Sequence, residues 1–180
     1  MKRTIGIASR AFFALLIFAS ASFAAVDVKS DYDRGFSLDK LRYFRFVETR
    51  TPNGADALAG DEIVAKRIQH AIEKNLTAAG CAKVANADFV VSYRAVLRNQ
   101  SQVTTSGFPR LGAGRIWVDN YTVGTVIVEF RDAKSGDLIW RGLASGAVDP
   151  NKSEEKINDG IKKLIDRFQK DRERQKRGNK

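Results

Sequence analysis

Apolar and polar positions alternate with a period of two in five stretches of this chain and recur at three and four residues in two others. In AVDVKSDYD (25–33), Val26, Val28, Ser30 and Tyr32 alternate with Asp27, Lys29, Asp31 and Asp33, the pattern of a half-buried strand that ends in turn formers. LRYFRFVE (41–48) sets Phe44 and Phe46 on one face of a second strand. ADFVVSYRAVLR (87–98) places Phe89, Val91, Tyr93, Ala95 and Leu97 on one face and Val90, Ser92, Arg94, Val96 and Arg98 on the other. RIWVDNYTVGTVIVEFRD (115–132) alternates best around Val126, Val128 and Phe130, with Gly124 suggesting a bulge. LIWRGLASGAV (138–148) is the fifth strand.

The period changes in DEIVAKRIQHAIEKNLTAAG (61–80), where Val64, Ile68, Ala71, Ile72, Leu76 and Ala79 make one helical face. Asp61 is its candidate N-cap, and Gly80 its left-handed stop. Ile157, Ile161, Leu164, Ile165 and Phe168 make a second helical stripe, with Ser153 as N-cap and Glu154 and Glu155 in the first turn. TRTPNGADALAGD (49–61) and NQSQVTTSGFPRLGAG (99–114) read as loops, the second as a long hairpin loop. The order β-β-α-β-β-β-α predicts an α+β fold. Three strands in succession imply an antiparallel meander, so the sheet is antiparallel-rich, of about five strands, with two helices packed on one face. The face carrying Arg94, Glu129 and Arg131 stays partly wet.

The two ends fall outside this pattern. Lys2, Arg3 and Arg10 flank an uncharged run, Ala11 to Val26, of 16 residues, with small residues at Ala19, Ala21 and Ala24. A basic start, a short apolar stretch and an A-x-A-like end predict a signal peptide over 1–24, cleaved after Ala24 or Ala21, and hence a periplasmic or secreted protein. After cleavage no stable membrane span is expected. The domain is expected over 25–168, and QKDRERQKRGNK (169–180) is read as a basic, disordered tail. Of the formal charge of +10, the first segment holds three units and this tail four. Export argues against a nucleic-acid partner. Anionic lipid, polysaccharide or an envelope protein is the expected class of partner.

Hydrophobic content of 43% and charged content of 29% suit a globular domain. Catalytic and metal chemistry find little support. His70, the single histidine, shares its helix face with Arg67, Glu73 and Lys74 and points to solvent. Cys81 is the single cysteine, so it has no internal disulfide partner, and it reads as a small buried residue. Helical rise puts it about 16 Å from His70, too far for a Cys–His pair. GAG (112–114) leads into a strand and lacks a nucleotide fingerprint. No cofactor, metal site or catalytic set is expected. Asp31 and Asp33 are the acids on which an envelope hydrolase would rest. Phe108, Arg110, Arg115, Trp117 and Tyr121 gather aromatics and arginines in and beside the 99–114 loop, the composition of an interface or an anion site, though a plain hairpin tip explains them too. DAKSGD (132–137) reads as a type I turn with Gly136 at positive φ, and Trp140 after it as a core anchor.

VKSDYD, FSLDKLRYFRF, RIQHAIEKNLTAAG, ADFVVSY and GTVIVEFRDAKSGDLIWRG, in this order, resemble a family of Gram-negative envelope proteins known as domain of unknown function 4136. The resemblance spans nearly all of 26–168. It implies an α+β secreted domain at the cell envelope, with no established enzymatic activity. Asp132, Gly136, Trp140 and Gly142 match the family's recurring hairpin and are expected to be structural. Many members are lipoproteins, whereas no cysteine stands near the cleavage site here, which implies a soluble protein, at most peripheral to the outer membrane. The expected function is non-enzymatic binding or envelope support. The alternatives are a hydrolase using acidic residues, or an assembly partner that uses a sheet edge or the 99–121 loop.

Overall fold

A computed structural model describes residues 26–47, 62–108, 113–147 and 153–178, with residues 102–117, 119 and 153 read at the level of the backbone. The expected signal peptide and the loop before the first helix lie outside the described residues.

The chain runs β1 (Asp27–Tyr32), a 3₁₀ turn (Leu38–Lys40), β2 (Tyr43–Phe46), α1 (Glu62–Ala78), β3 (Ala82–Lys83), β4 (Phe89–Phe108), β5 (Ala113–Asp132), β6 (Leu138–Ala147) and α2 (Ser153–Gly178). The six strands form one sheet in the order β1-β6-β5-β4-β2-β3. The α+β class is as expected, and β4-β5-β6 is the antiparallel meander. The count is six rather than five because β3, two residues long, is too short to show a period. The sheet is also mixed, since β2 runs parallel to both β3 and β4. A parallel pair needs a crossover, and α1 supplies the one from β2 to β4.

Both helices bury their apolar stripes on one sheet face. Val64, Ile68, Ala71, Ile72 and Leu76 of α1 and Ile161, Leu164, Ile165 and Phe168 of α2 join one core. An aromatic chain crosses that face at one end. Phe44 meets Phe89 at 5.9 Å, Phe89 meets Phe130 at 5.0 Å, and Phe130 stacks on Trp140 at 4.8 Å. Phe168 closes it edge-on to Phe130 at 5.0 Å and to Trp140 at 5.5 Å. Such rings dominate the energetics of a core of this size.

Three expectations are corrected. The sheet's irregularity lies between Phe130 and Arg131, where Ile139 is the extra residue, while Gly124 pairs in register with Leu97 and Gly146. The 99–114 loop is mostly strand: β4 runs on to Phe108 and β5 begins at Ala113. Residues 169–178, read as a disordered tail, are the last turns of α2. Those turns bind the domain. Asp171 is 1% exposed, and its Oδ2 accepts from Ser30 Oγ at 2.6 Å and from Trp140 Nε1 at 3.2 Å. Gln175 accepts from Leu38 N at 2.8 Å and donates to Phe36 O at 2.7 Å.

Candidate functional site: a two-stranded ribbon beside an open sheet face

β6 pairs with β5 only as far as Val123, and β2 pairs with β4 only as far as Val91. β4 and β5 nevertheless continue together for ten further pairs, from Asn99↔Thr122 to Phe108↔Ala113. At about 3.4 Å per residue the ribbon extends about 30 Å past the rest of the sheet. Its stem is laced by polar side chains on successive pairs. Thr122 Oγ1 donates to Asn99 Oδ1 at 3.0 Å, Tyr121 OH to Gln100 Oε1 at 3.0 Å, and Ser101 Oγ to Asn120 Oδ1 at 2.7 Å. Cross-strand pairs of this kind stabilise a two-stranded ribbon.

The residues expected to gather in a loop are instead strung along this ribbon. Phe108 pairs with Ala113, Arg115 with Ser106, Trp117 with Thr104 and Tyr121 with Gln100. Arg115 and Tyr121 are six positions apart on one strand, about 20 Å, so the arrangement is linear rather than gathered at one point. Arg110 lies outside the described residues.

The sheet face away from the helices adjoins the stem. Glu129, with its side chain 13% exposed, sits among three arginines there. Arg141 approaches Oε1 at 2.8 Å, Arg131 reaches Oε2 at 3.2 Å, and Arg94 lies 3.7 Å from Oε1. One carboxylate cannot neutralise three guanidiniums, and each arginine remains about half exposed, so this face presents net positive charge and unused planar donors. The sequence showed these residues alternating on one face but not that three would converge on Glu129, because convergence depends on the register of three strands.

The 132–142 hairpin makes scaffold contacts. Asp132 Oδ1 accepts from Lys134 N and Ser135 N, each at 2.8 Å, and Gly136 takes φ +79°. The two amides, Ser135 first, hold the Asp132 carboxyl below the ordinary carboxylate range. Replacing Asp132 by alanine is expected to cost about 1 kcal/mol at neutral pH, as for a lost cap. Because the folded-state pKa is depressed, that stabilisation is complete above the unfolded value, about 3.9, and fades as the pH falls through the folded one. Thermal melts of native and Asp132→Ala chains should therefore converge below about pH 4.

The remaining candidates are engaged in the backbone or stand apart. Asp31 Oδ1 accepts from Tyr32 N and Asp33 Oδ1 from Gly35 N, so both acids serve a strand end and a turn. His70 is exposed on α1. Cys81 is buried with its Sγ 3.5 Å from Leu41 O, and burial pushes its thiol pKa up, opposite to the shift that activates a nucleophile. Among the described residues no group of three or more His, Cys, Asp or Glu is placed to hold a metal ion, and no helix is long and apolar enough to cross a membrane.

No curated protein matches the chain. Among solved structures, a PDZ domain protein from Parabacteroides distasonis is similar at 12% identity and a TM-score of 0.54, covering 78% of this chain and 35% of that one. The chain thus spans about a third of that protein, and at this identity the likeness is one of fold alone. The PelC dodecamer from Paraburkholderia phytofirmans aligns at 17% identity and a TM-score of 0.47, and in a second crystal form at 15% and 0.44, each time over 81% of this chain and 98% of PelC. One family model matches residues 28–168, and the chain accordingly belongs to the family described as Domain of unknown function (DUF4136).

Proposed function

We propose that this protein is a non-enzymatic binding domain of the bacterial cell envelope, and that the β4–β5 ribbon is the element that holds its partner. The observation that carries this reading is the ribbon's ten pairs of ladder with no further strand on either side among the described residues. A two-stranded ribbon is marginal alone, and its free N–H and C=O groups are a template for another strand. Addition of a partner strand satisfies both conditions. The arginines around Glu129, beside the stem, favour a partner with anionic groups. The export signal read in the first 24 residues supports an envelope location.

The test is a chain in which residues 99–122 are replaced by an Asn-Gly turn joining Arg98 to Val123. Among the described residues the ribbon contributes none to the core, so this variant should melt with the native protein. In sedimentation with outer-membrane vesicles or peptidoglycan, the native protein should pellet and the shortened one remain in the supernatant. Equal pelleting of the two would sink the assignment of the ribbon.

A further inference from the structure

We infer that the groove between β1 and α2 is a further docking site, which takes an extended acidic segment of a partner polypeptide as an added strand of the sheet. β1 is the last strand on its side, paired with β6 alone among the described residues. Residues of an antiparallel pair alternate between those that exchange both backbone bonds with the neighbour and those that turn theirs away. Asp33 N donates to Ile139 O at 2.9 Å, one step beyond Tyr32↔Trp140 in the ladder. Asp27, Lys29 and Asp31 therefore bond to β6, while Val28, Ser30 and Tyr32 turn their N–H and C=O groups to the free edge. Tyr32 fits this phase, since its N–H is held by Asp31 Oδ1 at 2.9 Å rather than by β6. That bond closes one end of the edge. Val28 and Ser30 lie within it, and each can exchange a pair of backbone bonds with an incoming strand.

The wall beside this edge is α2, which runs in the direction of β1. A Cβ on Gly160 would lie 3.9 Å from Val26 Cγ1, and Arg167 Nε donates to Ser30 Oγ at 2.9 Å. Val26 and Val28 of the strand and Lys163, Asp166, Arg167 and Lys170 of the helix line a groove of about 260 Å³, open to solvent. Directly opposed residues of neighbouring strands share a face, so the partner residues opposite Val28 and Ser30 point into this groove. Its charges decide what they are. Asp166 is held by Lys162 at 3.0 Å, Lys163 by Asp159 at 2.8 Å and Arg167 by Asp171 at 3.3 Å. Lys170 is exposed and makes no hydrogen bond or ion pair among the described residues. An acid opposite Ser30 gives Lys170 its counter-ion, and an apolar residue opposite Val28 covers the two valines. A second copy of this chain fits poorly, because two β1 strands set edge to edge bring one stripe of Lys163, Arg167 and Lys170 against another.

The test is an NMR titration of the isotope-labelled native protein with the peptide Thr-Val-Thr-Glu-Thr-Val-Thr, whose valines and glutamate share one face, and with its Gln counterpart. The Glu peptide should shift the amides of Val28 and Ser30 and slow their exchange with solvent. It should bind about two- to fivefold more tightly than the Gln peptide, as for an exposed ion pair, and Lys170→Ala should erase the difference. Val28→Pro removes an N–H that β6 does not use, a change that an edge strand tolerates. It should weaken either peptide by about fivefold or more, through loss of a hydrogen bond. No shift at Val28 or Ser30 with either peptide at millimolar concentration overturns the site. Shifts confined to the β4–β5 ribbon overturn it too, and leave the reading of the ribbon standing. Equal affinity for the two peptides, or a preference that survives Lys170→Ala, overturns the acidic partner. Shifts at Val28 and Ser30 that grow with protein concentration alone put a second copy at this edge instead. Should Val28→Pro not fold, the peptide pair and Lys170→Ala decide.

Discussion

A chain ending at Phe168 should melt on the order of 10 °C below the full-length protein. The truncation looks harmless from composition, because it removes only a strongly charged segment. It also removes Asp171, whose carboxylate accepts from the buried Trp140 indole and from Ser30, and is 3.3 Å from Arg167 Nε. An indole N–H left buried without an acceptor costs about 1–3 kcal/mol. Gln175 goes too, and with it two bonds that pin the backbone at Phe36 and Leu38. Arg172, bonded to Ala79 O at 3.4 Å and lying over the Phe168 ring at 5.6 Å, is the third loss. At about 1 kcal/mol for each net hydrogen bond, the total reaches about 3–5 kcal/mol, a large part of a domain's stability. Asp171→Ala alone should account for about half of this, while Lys176→Ala and Arg177→Ala, both exposed, should move the midpoint by less than about 0.5 kcal/mol. Urea unfolding of the series checks the ranking. A truncated chain as stable as the native one would show that these turns of α2 do not hold the domain.

Gly142→Ala should destabilise the protein by about 3 kcal/mol, the upper end for overpacking. A Cβ at this position would lie 2.3 Å from Trp140 Cη2, 2.7 Å from Leu164 Cδ2 and 2.9 Å from Trp140 Cζ3. The two Trp140 atoms have little room to yield. The indole is stacked on Phe130, crossed by Phe168 and held at its nitrogen by Asp171. The matched control is Gly146→Ala on the same strand, whose Cβ would meet Val26 Cγ2 at 3.4 Å, an ordinary contact. That substitution should be neutral, or stabilising by a few tenths of a kcal/mol through the chain entropy that glycine forfeits. Denaturant midpoints of the two variants separate a packing constraint from a general dislike of side chains on β6. Equal effects would mean that the Trp140 ring has room to move aside.

Much of the fold could be read from periodicity, and what escaped has physical causes. The alternation of Val26 and Val28 with Asp27 and Lys29, and the helical spacing from Val64 to Leu76, exist because each element has one buried face. The ribbon over 99–114 was misread because Asn99, Gln100 and Ser101 bury neither face, so no hydrophobic alternation remains there to mark a strand. The end of α2 was hidden by charge. Its inward stripe continues from Phe168 through Asp171 and Arg172 to Gln175 at helical spacing, but in polar residues that a search for apolar positions passes over. Among the candidate residues, the turn chemistry of Asp132 and Gly136 was legible because it is local. The convergence on Glu129 was not, because it depends on how distant strands align.

The pairing of β1 with β6 has a consequence for how the protein comes to be folded. Asp27 lies opposite Ser145, and Ser30 donates to Asp171, a residue 141 positions later. Contacts of such sequence separation raise the contact order and carry the largest loop-closure entropy, so folding is slow by topology. They also mean that the first strand to emerge from a ribosome or a translocation pore has no partner until nearly the whole chain has followed. On the export proposed above, the chain would cross a membrane unfolded, and that delay would keep the sheet open until β6 had arrived.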